Sequence, residues 1–214
     1  VPGMVGCSRS DGEFVIGAMT PHSTLEHSPQ LGLLSRAAGT IADPQVRHRG
    51  TIGGSLAHGD SASDLPAVML AAEASFTLAS NGGQQRSVAA AEMFQDYLTT
   101  AMSDTEVLTD VRVPALSGYG WGYEKFNRRA EDWAMVAVCA LVKVDGDNVS
   151  DVRVGLTNMA STPLRATAVE DALRGQPASA EAIAAAAEKA ADGTDPPADL
   201  NATADYKRHL AKVM

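Results

Sequence analysis

Apolar positions in this chain come in short blocks whose period changes repeatedly, the signature of mixed helix and strand. Residues 13–19 form a compact apolar run that predicts a strand. Between residues 23 and 42, Leu25, Leu31, Leu34 and Ala38 recur at helical spacings. Ser23 suits an N-cap, with Glu26 three residues later as in a capping box. Pro29 divides this stretch into two short helices. Residues 43–50 are polar and read as a connector. Farther on, Pro66 suits a first helical turn and Asp64 its cap, predicting a helix over residues 67–73. Residues 75–79 and 85–88 flank Asn81-Gly82-Gly83, a hairpin signal. Residues 89–99 predict a helix and a loop. Residues 106–113 predict a strand that Pro114 ends.

The pattern restarts after a segment rich in Ser and Gly at residues 115–122. Strands are expected at 121–127, 134–144 and 149–155, with a turn at Asp145-Gly146-Asp147-Asn148. Helices are expected at 167–173 and 180–191, a linker at 192–204, and a further helix from Tyr206. The fold class is therefore α+β, with domains at 1–116 and 117–214. Three strands followed by helices predict an open-faced sandwich for the second.

Composition adds limits. The 214 residues are 45% hydrophobic and 20% charged, enough apolar material for a core. Aromatics are only 5%, so Ala, Val, Leu and Met must fill most of it. The net charge of −9 disfavours nucleic acid as a partner, since that needs clustered Lys and Arg. A single anionic cofactor remains compatible, because local dipoles outweigh net charge at short range. No apolar run approaches the ~20 residues of a membrane span, and no signal peptide opens the chain, so a cytoplasmic protein is expected. Cys7 and Cys139 read as structural thiols, and two such cysteines hold neither a cluster nor a zinc ion alone.

Candidate chemistry centres on Gly50-Thr51-Ile52-Gly53-Gly54-Ser55. Paired glycines let a backbone approach a ligand with no Cβ in the way, and successive N–H groups make an anion nest. Thr51 and Ser55 add hydroxyls. Asp64, nine residues on, is suited to accept from ribose or ribityl hydroxyls, to cap a helix, or to do both. No Lys follows the glycines, so a Walker-type hydrolase is disfavoured. His48 and His58 read as polar loop residues rather than metal ligands. In a strand, Tyr123 and Lys125 share a face. Lys125 could then offset negative charge on a reduced ring and Trp133 could stack on a planar one, or the pair could simply be a surface Lys and a core Trp. Catalytic nucleophile motifs are absent.

One ordered set of motifs goes further. Ile41-Ala42-Asp43-Pro44-Gln45-Val46-Arg47, Gly50 to Ser55, Asp64-Leu65-Pro66, Tyr123-Glu124-Lys125 with Arg128-Arg129, and Gly155-Leu156-Thr157-Asn158 with Thr162-Pro163 together resemble the FAD-binding medium subunit of the molybdenum hydroxylases, above all its aerobic carbon monoxide dehydrogenase branch. The resemblance spans almost the whole chain. It implies an FAD domain of the vanillyl-alcohol-oxidase type followed by the family's C-terminal domain. It also implies a large molybdopterin subunit and a small subunit with [2Fe–2S] clusters as partners, assembled as a dimer of heterotrimers. Electrons would pass from the clusters through FAD to a quinone or another acceptor, with no substrate chemistry in this subunit. Peripheral association of the complex with the inner face of the cell membrane is compatible with that role. Carried over by position, Thr51, Ile52, Gly53, Gly54 and Ser55 match the second FAD motif. Asp64 matches the residue on the FAD sugar chain, Ile16 and Leu108 match segments near the flavin, and Lys125 and Trp133 match flavin-proximal positions. Two departures stand out. Ser55 replaces a frequent Asn, and the family's Gly-Gly-His-Ser loop and its N-terminal lobe do not precede these motifs, so half of the pyrophosphate cradle is expected outside this sequence. Other hydroxylases of the family, acting on purines, N-heterocycles or aldehydes, and a cofactor-less scaffold are the alternatives.

Overall fold

The computed structural model describes residues 3–214. The first half carries β1 (Cys7–Ser10), β2 (Glu13–Gly17), α1 (His22–Glu26), α2 (Leu33–Ala38), α3 (Pro44–Arg49), α4 (Ile52–His58), α5 (Asp64–Ala72), β3 (Ser75–Ser80), β4 (Gln85–Ala89), α6 (Ala90–Met93), β5 (Phe94–Asp96), β6 (Thr99–Thr100) and β7 (Glu106–Pro114). The second carries β8 (Gly120–Phe126), β9 (Val136–Asp145), β10 (Asn148–Thr157), β11 (Leu164–Arg165), α7 (Thr167–Leu173), α8 (Ala180–Ala187) and α9 (Ala204–Val213).

Each half has an antiparallel sheet. The first runs β1-β2-β7-β3-β4, with the long β7 at its centre. The second runs β11-β10-β9-β8. The predicted hairpin forms as β3 and β4, and its turn glycines Gly82 and Gly83 take the positive φ that the sequence pattern demands.

Helix α5 joins the halves. All nine of its residues are buried, as expected of a helix that is apolar all round. Its outer side meets β9 and β10. Gly155 permits that approach: a Cβ there would stand 2.4 Å from the Ala67 carbonyl oxygen and 2.7 Å from Cys139 Sγ. The Cys139 thiol donates to the Ala67 carbonyl at 3.5 Å, and burial pushes its pKa up to about 12. Glu73, just past α5, accepts from Arg153 at 3.0 Å and pairs with Arg165 at 3.6 Å. The second sheet is consequently not open-faced. One face packs on α2 and α5, and the other on α7 and α9.

Several local expectations change. Residues 43–50 are not a loop: Asp43 caps α3 by accepting from the Val46 N–H at 2.9 Å, and Pro44 opens the helix. Ser23 is not a cap, since α1 begins at His22 after Pro21. Asp64 is not a cap either. It is the first helical residue after Ser63, and its carboxylate faces another element. Residues 192–204 are held as a strap rather than left as a linker. The Asp195 N–H donates to the Met159 carbonyl at 2.9 Å, and the fully buried Lys207 reaches Asp199 at 2.7 Å. Cys7 and Cys139 are both free thiols. Among the described residues, no helix is long and apolar enough to cross a membrane.

Candidate functional site

The start of α4 fixes the first wall of the site. Thr51 is extended and caps the helix, its hydroxyl oxygen accepting from the Gly54 N–H at 3.1 Å. The Ile52 N–H donates to the Thr20 carbonyl at 3.0 Å and the Gly53 N–H to the Ala18 carbonyl at 2.8 Å. The expected nest of free N–H groups is therefore absent from residues 52–54: the turn after β2 engages Ile52 and Gly53, and the Thr51 hydroxyl engages Gly54. What this turn presents to the cleft is Thr51, Gly54 and Ser55.

The two glycines have separate causes. Gly53 is buried, and a Cβ on it would meet Ala18 Cβ at 2.5 Å, so it is small for the sake of packing. Gly54 is exposed, and a Cβ on it would touch only Thr51 Oγ1, at 3.1 Å. Its smallness leaves room in the cleft.

That cleft, about 690 Å³, lies among α3, α4, the start of α5, β8 and the loop before β9. Its volume is of the size that holds a cofactor. Thr51, Gly54, Ser55, Asp64, Lys125 and Trp133 all line it. Ile16, Ile52 and Leu108 do not. Their side chains are 0%, 0% and 3% exposed and belong to the core, so they shape the wall from behind; Gly53 joins them in the buried layer. Sequence patterns of alternating apolar residues could equally have assigned them to packing.

The far wall is a buried charge cluster. Lys125 Nζ donates to Asp64 Oδ2 at 2.9 Å and to the Thr40 carbonyl at 3.0 Å, and the Tyr123 hydroxyl donates to Asp64 Oδ1 at 2.8 Å. Period-two geometry in β8 brings Tyr123 and Lys125 to one face, where they hold the same carboxylate. Burial pushes the Asp64 pKa up, while Lys125 and then Tyr123 pull it back. Burial and the adjacent carboxylate raise Tyr123 well above its ordinary value, so it stays a donor. Each Asp64 oxygen keeps a second lone pair for a hydroxyl donor in the cleft. The Lys125 charge is matched by Asp64 and is not free to offset another anion alone.

Two residues on the cleft, and one buried behind Asp64, escaped the sequence reading. Tyr123 was grouped with Lys125 but given no role. Arg49, exposed at the end of α3, has no hydrogen bond or ion pair among the described residues, whereas Arg47 is committed to Glu26 at 2.8 Å and to the Ile41 and Ala42 carbonyls. His22 lines the cleft beside Gly50 with Nδ1 buried and unpartnered. His58 borders the cleft, while His48 is exposed on α3. Among the described residues, no group of three or more His, Cys, Asp or Glu is placed to hold a metal ion.

Trp133 is 59% exposed and stands between this cleft and a neighbouring cavity of about 960 Å³ that Arg128 and Arg129 also line. An indole left so open beside a cavity offers a face for a planar ring.

These residues fit FAD on their own chemistry. Hydroxyl and guanidinium donors line one wall, beside a glycine whose Cβ would intrude. Carboxylate acceptors lie opposite, and an uncovered aromatic stands at one end.

Comparison with known proteins gives the same assignment. Residues 1–116 match the FAD binding domain in molybdopterin dehydrogenase, and residues 121–214 match the CO dehydrogenase flavoprotein C-terminal domain. The carbon monoxide dehydrogenase medium chain of Hydrogenophaga pseudoflava is 41% identical, over 100% of this chain and 76% of that one. The 6-hydroxypseudooxynicotine dehydrogenase complex subunit alpha of Paenarthrobacter nicotinovorans is 36% identical, over 100% of this chain and 74% of that one. A solved structure of the Hydrogenophaga pseudoflava carbon monoxide dehydrogenase superposes with a TM-score of 0.95 at 43% identity, again covering 100% and 76% of the two chains. The chain belongs to the family of FAD-binding medium subunits of carbon monoxide dehydrogenase and related molybdenum hydroxylases.

Proposed function

We propose that this chain is the electron-transfer subunit of a carbon monoxide dehydrogenase-type complex, with FAD held in the cleft between α4, α5 and β8. The observation that carries the reading is the convergence of Thr51, Gly54, Ser55, Asp64, Lys125 and Trp133 on one cleft from positions as much as 82 apart in sequence. FAD, when bound, couples one-electron donors to two-electron acceptors.

The protein's part is to bind and orient. Thr51 and Ser55 offer hydroxyl donors to the pyrophosphate, and Arg49 adds a positive charge. Ile52 and Gly53 fix that wall by bonding to the turn after β2. Asp64, held by Tyr123 and Lys125, accepts from hydroxyls of the sugar chain. Trp133 packs against the isoalloxazine. Ile16 and Leu108 support the wall from the core.

In this reading a large molybdopterin subunit oxidises the substrate, and the [2Fe–2S] clusters of a small subunit deliver electrons here. A quinone or another acceptor takes them onward, and the complex is a dimer of heterotrimers in the cytoplasm. Identity of 36% to the 6-hydroxypseudooxynicotine dehydrogenase complex subunit alpha and of 33% to a nicotine 6-hydroxylase medium subunit keeps an N-heterocycle open as the substrate, since the large subunit sets that choice. Purification of the native complex, release of its cofactors by denaturation and identification of the flavin test the assignment. One FAD per copy of this chain is expected, and a complex that contains the chain but no flavin would overturn it.

A further inference from the structure

His22 sits where the cleft meets the turn after β2, and its two ring nitrogens have unequal surroundings. Nδ1 is sealed from solvent and has no hydrogen-bond partner. Nε2 is not sealed. It makes no hydrogen bond among the described residues, and it lies on the ring edge beside Gly50 where His22 borders the cleft. The residue as a whole is only 4% exposed, so the ring has little freedom to turn.

A neutral imidazole carries one N–H and one lone pair. Placing the proton on Nδ1 would bury a donor with nothing to receive it, which costs its full desolvation. An unpartnered lone pair is the lesser penalty, as under-satisfied acceptors are commoner than orphaned donors. The surroundings therefore select the Nε2–H tautomer and aim a donor at the cleft. Burial holds the His22 pKa at about 4, so the ring is neutral under ordinary conditions.

The ring is also held in register. Its backbone N–H donates to the Gly50 carbonyl at 3.0 Å, and Pro21 bridges Thr51. A Cβ on Gly50 would stand 2.8 Å from His22 Cδ2 and 3.1 Å from Nε2, so only glycine leaves the ring its place. His22 thus lines the same cleft as Thr51, next to Gly50 at the start of the wall read as meeting the pyrophosphate.

We propose that His22 is a cofactor-binding residue whose Nε2–H donates to a pyrophosphate oxygen of the bound dinucleotide, with Gly50 setting the ring's position. The inference rests on reading the cleft as the FAD site, and its test separates the two.

The full subunit is stripped of flavin and titrated with FAD and with riboflavin, which lacks phosphate, following fluorescence quenching. Saturable FAD binding by the unaltered protein upholds the cleft reading, and no binding overturns that reading and this one together. Given binding, His22→Phe is expected to weaken FAD on the order of tenfold and to leave riboflavin unchanged. His22→Gln, which keeps a donor, recovers part of the loss. Unchanged FAD affinity in His22→Phe, an equal loss for riboflavin, or no recovery in His22→Gln overturns the assignment while leaving the FAD site intact. Should His22→Phe fail to fold, ¹⁵N spectra of the unaltered protein decide. Protonated Nε2, with a signal that moves on FAD addition, supports the donor, whereas protonated Nδ1 or an unmoved signal refutes it.

Discussion

Lys125 Nζ stands 2.9 Å from Asp64 Oδ2 across 61 positions of sequence, with side-chain exposures of 5% and 7%. The contact joins α5 of the FAD domain to β8 of the C-terminal domain and is closed by Tyr123. Removing one member of such a pair strands a buried charge, at a cost of about 3–5 kcal/mol, whereas replacing both with apolar groups is often close to neutral. Asp64→Leu and Lys125→Met are each expected to lower stability by that order. The double variant should recover most of it yet still bind FAD poorly, because the hydroxyl acceptor is gone. Denaturant unfolding of the four proteins gives the coupling directly, and additive losses would mean that the pair is not energetically joined.

The two glycines of the α4 turn should separate stability from binding. Gly53→Ala drives a Cβ to 2.5 Å from Ala18 Cβ and should cost about 1–3 kcal/mol, read as a lower melting temperature. Gly54→Ala meets only Thr51 Oγ1 at 3.1 Å. It should melt near the unaltered protein while losing FAD affinity on the order of tenfold. If both variants behave alike, the distinction drawn between a packing glycine and a cleft glycine is wrong.

How legible these features were in the sequence depends on how local their causes are. The strands β2, β7, β9 and β10 and the β3–β4 hairpin follow from apolar runs and turn glycines that act on their own neighbours. Helix α3 was misread because its six residues have no apolar period, although Asp43-Pro44 carried the cap and first-turn signal. The motif order placed Asp64 and Lys125 in the site. Their pairing could not be read, since it is a meeting of two elements 61 residues apart. The same holds for Gly53. Its glycine looked like a ligand contact and is instead demanded by Ala18, a constraint visible only once the turn after β2 packs on α4. His22 lies in no motif, and only its sealed Nδ1 singles it out.

Acid should act through His22. Burial lowers its pKa from 6.5 to about 4 in the folded protein. Between those values the unfolded chain binds a proton that the folded one excludes, so stability falls as pH drops through this window. Below about 4 both states are protonated and this contribution stops changing. Unfolding measured from pH 7 to pH 4 should show a shallower loss in His22→Phe than in the unaltered protein. Superimposable profiles would remove His22 as a source of acid lability.

Trp133 is 59% exposed and has little to contribute to the core. Trp133→Ala should leave melting within about 0.5 kcal/mol of the unaltered protein. It should shift the bound-flavin spectrum or the rate of flavin reduction more than it shifts FAD affinity. A spectrum and rate identical to those of the unaltered protein would mean that the indole does not meet the isoalloxazine.

The central claim is that this cleft holds FAD, and quantifying flavin in the purified native complex tests it most directly. One FAD per copy of this chain is expected, lost on Asp64→Ala or Gly54→Ala at dilutions where the unaltered complex retains it. A complex that contains the chain but yields no FAD, or one whose FAD content is indifferent to both substitutions, would contradict it.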